Sequence, residues 1–177
     1  MVVKRIIPFL CIGLFLLLCT KVTFNKQYNR NKSIAIPTNI QNKVCNETLN
    51  MSFEEILDYC LDLTCEMLTY SYQENLTDSL YNSKGHCVTY SAIYKELCNT
   101  AFQTNNIEAS ASISVGYFTY LGINLNKCLM SIVSDKYTNF VMNHDVVEIN
   151  YNNQKILIDP SVADVFNISP KYKLKEL

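Results

Sequence analysis

Ser83-Lys84-Gly85-His86-Cys87-Val88-Thr89-Tyr90-Ser91, Asn143-His144-Asp145-Val146-Val147-Glu148-Ile149 and Ile156-Leu157-Ile158-Asp159-Pro160-Ser161 are the stretches whose reading decides the fold. After the first, Val88, Ser91, Tyr94, Leu97, Cys98, Ala101 and Phe102 recur at mostly three- and four-residue steps, the spacing of one helical face. That spacing predicts a helix from Cys87 to about Thr104, with Cys87 at its N-terminus. Val141 to Tyr151 and Gln154 to Asp159 read as two strands. Asn152-Asn153 between them tolerates the left-handed backbone of a two-residue hairpin turn.

The turn sets a register. If it spans two residues, Tyr151 pairs with Gln154, Val146 falls opposite Asp159, and His144 falls opposite Ser161. Side chains on one face of a strand recur every second residue, so His144 and Asp159 share a face as diagonal neighbours, close enough to interact. Asn143 and Asp145 then point to the other face. A slip of one residue would undo the arrangement.

Cys87, His144 and Asp159 are therefore the candidate catalytic residues. A thiol, an imidazole and a carboxylate are the parts of a nucleophilic acyl-transfer site: the imidazole takes the thiol proton and the carboxylate orients the imidazole. A helix N-terminus favours the thiolate through its unpaired amides and the positive end of its dipole. Gly85 is expected to let the chain turn tightly ahead of the helix. The Cys87 amide is one donor for a developing oxyanion, and a second is needed. Tyr72, Gln73 and Asn82 are candidates that spacing does not rank. The chain has two histidines; His86 reads as structural or substrate-facing, which leaves His144 as the base.

Upstream, Ser52 with Glu55 forms a capping box. A helix follows to about Tyr70, carried by Phe53, Ile56, Leu57, Cys60, Leu63, Met67 and Leu68. Residues 71–86 read as a polar loop, and Ile107 to Tyr120 as a strand. Cys128 to Val133 is a further strand candidate, and Ser161 to Leu177 reads as a mixed tail. Helix, helix, then strands is the order of an α+β fold, with the nucleophile at a helix N-terminus packed on an antiparallel sheet.

At 177 residues, the chain is one domain plus a leader. Lys4 and Arg5 precede an apolar run from Ile6 to Cys19, the pattern of an export signal or a membrane anchor in residues 1–24. Both alternatives stay open, as does orientation, because Lys21, Lys26, Arg30 and Lys32 follow the run. The domain is expected to be membrane-anchored or exported, to a periplasmic or extracellular site. Residues 25–50 are rich in Asn, Lys, Gln and Thr and read as a polar tether, leaving 51–177 as the domain. A net charge of −1 and a pI near 6.1 give no basic surface for nucleic acid. No Cys-X-X-Cys occurs, so a zinc site has no spacing support, and the reading calls for no metal and no cofactor. Cys60, Cys65 and Cys98 fall within helical apolar patterns and read as core thiols.

As an ordered set these segments resemble the transglutaminase-like superfamily of papain-type folds. The matching residues are Gly85-His86-Cys87 with Tyr90-Ser91, then Asn106-Ile107-Glu108-Ala109 through Val115-Gly116, then His144 to Glu148, and Ile158-Asp159-Pro160. They span about residues 52 to 162. The resemblance implies an α+β core of transglutaminase-like, papain-type architecture, a Cys87 nucleophile, a His144 base and an Asp159 orienter. The sequence departs from the family pattern at Val146, where an aromatic is frequent, and at Asp145, where a small residue is commoner. The reading implied is a cysteine peptidase or amidase acting on a peptide or protein substrate through a Cys87 thioester. Its alternatives are transfer of the acyl group to an amine, or a catalytically inactive binding domain of the same fold.

Overall fold

The computed structural model describes residues 22–71, 83–120, 123–124, 144–166 and 171–173. The elements are β1 (Val22–Arg30), α1 (Thr38–Glu47), α2 (Phe53–Met67), β2 (Leu68–Tyr70), β3 (Ser83–Gly85), α3 (Cys87–Thr104), β4 (Ala109–Tyr120), β5 (Ile123–Asn124), β6 (His144–Tyr151), β7 (Gln154–Ile158), α4 (Pro160–Phe166) and β8 (Lys171–Lys173). The fold is α+β. One sheet has the order β1-β4-β6-β7-β8, with β5 paired to β4; the pairs β4–β5, β6–β7 and β7–β8 are antiparallel. β2 and β3 form a separate parallel pair.

The chain divides into two compact units, residues 1–27 with 116–143 and residues 28–115 with 144–177. In the first, Phe24 and Phe118 meet edge to face at 5.2 Å, and the Thr119 hydroxyl accepts from Asn25 at 2.8 Å. The second unit holds the helices and all three candidate catalytic residues.

In that unit α3 is the central element, packing on α1, α2, α4 and β6. Its predicted bounds, Cys87 to Thr104, are the observed ones. α2 starts at the predicted capping box: Ser52 Oγ accepts from the Glu55 amide at 3.4 Å, and the Glu55 carboxylate accepts from the Ser52 amide at 2.8 Å. Its helical end falls at Met67, earlier than the sequence suggested, because Leu68 to Tyr70 leave the helix to pair with β3. Phe53 stacks on Tyr151 at 3.9 Å and on Phe102 at 5.7 Å, joining the start of α2, the end of α3 and the end of β6. Val147, Ile149, Ile156 and Ile158 complete this core from the sheet. Cys60 and Cys98 lie within it, as expected, while Cys65 is only partly buried. The five cysteines among the described residues are all free thiols.

The hairpin has the register read from its turn. Tyr151 pairs with Gln154 and Val147 with Ile158, which carries Val146 opposite Asp159. Asn152 and Asn153 take φ of 50° and 60°, the two left-handed residues of a two-residue turn that follows the sheet twist.

Two segments differ from expectation. Residues 25–50 are not simply a polar tether: they hold most of β1 and all of α1, and Ile40 and Val44 of α1 are fully buried in the core with Ile36 beside them. The three recur every four positions, Ile36 just ahead of α1 and Ile40 and Val44 within it, so a narrow apolar stripe continues onto a largely polar helix. The tail beginning at Ser161 is also ordered at first, as α4. Pro160 is its first residue, where the absent N–H costs nothing. The expected leader, residues 1–24, lies outside the described residues except for its last three positions, as does the expected strand at 128–133. Among the described residues no helix is long and apolar enough to cross a membrane.

Candidate active site

Each site residue stands at the end of an element, and a particular contact puts it there. Cys87 opens α3 and is 2% exposed. Gly85, two residues earlier, has an ordinary backbone, so its need is space rather than the tight turn expected from sequence. A Cβ at Gly85 would meet Thr89 Cβ at 2.8 Å, which shows how closely the first turn of α3 lies over β3. The same turn is tied to the sheet by Ser91, whose Oγ donates to the Asp145 carbonyl at 3.0 Å. That bond sets the start of β6, and with it His144, against the start of α3.

His144 Nε2 lies 2.5 Å from Asp159 Oδ2, and the imidazole also hydrogen-bonds the Cys87 thiol. With Nε2 committed to the carboxylate, Nδ1 is the nitrogen left for sulfur. Asp159 is fully buried, and its other oxygen, Oδ1, accepts from Ser161 Oγ at 2.7 Å and from the Val162 amide at 3.2 Å. Asp159 is thus the N-cap of α4 as well as the orienter of His144. The sequence pattern Asp159-Pro160-Ser161 carries this cap signal in addition to the strand end and the orienting carboxylate.

The charges follow from these contacts. Burial pushes the Cys87 thiol up. Hydrogen bonding with His144 and His86, the His144 charge and the Asp145 amide outweigh this and bring it down to about 7. Burial pushes the His144 imidazole down, but the Asp159 charge and hydrogen bond, with a smaller contribution from Cys87, hold it well above the usual histidine range. Burial raises the Asp159 carboxyl, and the His144 charge together with hydrogen bonds from His144, Ser161 and Val162 hold it below the usual carboxylate range. At neutral pH this favours a thiolate, an imidazolium and a carboxylate in a row, the state that a thiol nucleophile requires.

Three further residues touch the site. His86 is the N-cap of α3: its Nδ1 accepts from the Val88 amide at 3.3 Å and lies 4.0 Å from Cys87 Sγ. It is closer to the nucleophile than its sequence position suggested. Asp145 has a fully buried side chain facing Arg30, whose Nη2 donates to Oδ1 at 3.2 Å while Nε lies 2.7 Å from Oδ2, outside hydrogen-bond alignment. Burial raises the Asp145 carboxyl despite the Arg30 charge. Ser161 completes the shell through Asp159. No spacing rule links Arg30 to Asp145 across 115 residues of chain. Tyr72, Gln73 and Asn82, the sequence candidates for a second oxyanion donor, lie outside the described residues.

A groove of about 800 Å³ is lined by Glu108, Ala109, Ser110, Asn150 to Asn153 and Lys155. It sits at the turn end of β6, seven residues from His144, which at about 3.3 Å per residue is roughly 23 Å away. It is therefore no part of the Cys87 site.

Comparison of the chain with protein-family models, with curated proteins and with solved structures found no match. The reading of function consequently stands on the residues and their geometry.

Proposed function

We propose that this chain is a cysteine-dependent acyl-transfer enzyme that hydrolyses a peptide or amide bond through a Cys87 thioester, on a core of transglutaminase-like, papain-type architecture. The observation that carries this reading is the connected row of Cys87, His144 and Asp159, with the carboxylate 2.5 Å from the far nitrogen of the imidazole. The Cys87 thiolate attacks the carbonyl carbon and forms an S–C bond. The leaving amine takes its proton from the His144 imidazolium, and Asp159 keeps the ring oriented and its charge stabilised throughout. Water, deprotonated by the now neutral His144, cleaves the thioester and regenerates the thiol. Deacylation by an amine in place of water would be transferase chemistry at the same site.

The test is direct capture of the acyl-enzyme. The full chain is treated with an activated acyl ester, quenched in acid and mapped by mass spectrometry. A hydroxylamine-labile acyl group on Cys87, absent in Cys87→Ala and greatly reduced in His144→Ala, is the expected result. Acylation spread over several cysteines, or none at Cys87, would assign the fold to a binding role instead.

A further inference from the structure

Asp145 ties three elements together at one residue. Its carbonyl accepts from Ser91 Oγ at 3.0 Å, and its amide donates to the Cys87 sulfur. Both partners lie at the start of α3, and the N–H and C=O of one strand residue point to the same edge. The side chain is fastened separately. It follows His144 by one position, so it points to the opposite face of β6. There it is fully buried and meets Arg30, the last residue of β1. Arg30 Nη2 donates to Oδ1 at 3.2 Å, and Nε lies 2.7 Å from Oδ2. The charged and titratable groups acting on this carboxylate are Arg30 from β1, His144 from β6 and His86 at the cap of α3.

A carboxylate buried this fully needs its counter-charge. Without Arg30 it takes up a proton or swings toward water, and either change releases Asp145 at its side-chain end. Only the backbone bonds would then hold that residue against α3. One of them ends on the sulfur and favours the thiolate, because it is made to the charged form. The other fixes the strand one residue from His144.

We propose that Arg30 and Asp145 are a positioning pair for Cys87 and His144: the ion pair holds the Asp145 backbone so that its N–H meets the sulfur while His144, one residue earlier, faces the same atom. The role rests on the acyl-transfer reading of Cys87 and adds to it a residue of β1 that acts through Asp145. Position and charge predict opposite signs for one substitution. A carboxylate that merely faced the thiolate would disfavour it, so deleting that charge would make Cys87 easier to ionise. Deleting an anchor makes it harder.

The readout is the pH midpoint of Cys87 alkylation by iodoacetamide, measured on the full chain by peptide mapping. Cys60 and Cys98 are 0% exposed, so their labelling reports opened chain in the same sample, and a loss of folded protein does not pass for a shifted midpoint. Arg30→Met and Asp145→Ala should each raise the midpoint from about 7 by about one pH unit, the effect of one hydrogen bond to an ionised group, and slow alkylation at pH 7 roughly fivefold. The double variant should shift no further than the larger single one. Arg30→Lys, which keeps the charge, should recover part of the shift. A midpoint still at about 7 in Arg30→Met, or one at or below the wild-type value in Asp145→Ala, overturns the proposal, and so does a double variant whose shift is the sum of the two. Failure of the underlying reading shows in the wild type alone, as a Cys87 midpoint at the ordinary 9.0, and it removes the positioning role with it.

Discussion

Replacing Asp159 by asparagine separates the charge of the site from its shape. Oδ1 of the asparagine can still accept from Ser161 and Val162, the two bonds that cap α4. The amide nitrogen then faces His144 Nε2, where a carboxylate oxygen stood at 2.5 Å. An amide donates, so Nε2 must become an acceptor, and the ring proton moves to Nδ1, the nitrogen that should receive the thiol proton. The imidazolium that held the Cys87 thiol near 7 is lost, and burial returns the thiol to its ordinary value of 9.0 or above. At pH 7 the ionised fraction falls from about one half to about 1%, so alkylation by iodoacetamide should slow roughly 50-fold and recover most of the difference by about pH 10. Unfolding free energy should change by only about 1–2 kcal/mol, because one charged hydrogen bond is exchanged while the cap is kept. The assay is the alkylation rate of Cys87 against pH, with urea unfolding as the control. A variant that reacts at the wild-type rate at pH 7 would refute the orienting role. One slowed equally at every pH would show that Asp159 governs access rather than ionisation.

Three further outcomes follow from the geometry. Ile40→Ala, in a helix whose sequence reads as tether, should cost about 2–5 kcal/mol in urea unfolding because Ile40 is fully buried; a loss under about 0.5 kcal/mol would detach α1 from the core. Gly85→Ala should cost about 1–3 kcal/mol and slow Cys87 alkylation, since the added carbon lands 2.8 Å from Thr89 Cβ and pushes on the first turn of α3; stability and alkylation both at wild-type levels would contradict the close packing. The Asp159 carboxyl is held below its ordinary 3.8 in the folded chain, so its contribution is fully present above that value and is lost as pH falls through the folded one. Acid unfolding of the wild type below about pH 4 should therefore be steeper than that of Asp159→Asn, and equal slopes would deny the shift.

Much of the site was legible because it rests on local rules. Helix periodicity fixed both ends of α3, and one two-residue turn carried the register from Asn152-Asn153 back to the level of Asp159. What was missed was either weak in pattern or distant in sequence. α1 shows only Ile40 and Val44 buried on a largely polar background, with Ile36 just ahead of it, so composition masked a real period of four. α4 is seven residues long and was hidden in a tail, although Asp159-Pro160 is a helix-start signal. The Arg30–Asp145 pair is a tertiary contact that local patterns do not reveal. Gly85 was recognised as necessary for the wrong reason: the constraint is the Thr89 side chain, which only the packing of α3 over β3 brings near.

The central claim is that Cys87 is an ionised nucleophile at neutral pH. Competitive alkylation of the native full chain, with every cysteine quantified by peptide mapping across pH, tests it most directly. Cys87 should label first despite its burial, ahead of the more exposed Cys45 and Cys65, with a midpoint at about pH 7 that moves upward in His144→Ala. Labelling of Cys87 no faster than those two thiols, or with a midpoint at the ordinary 9.0, would contradict the account.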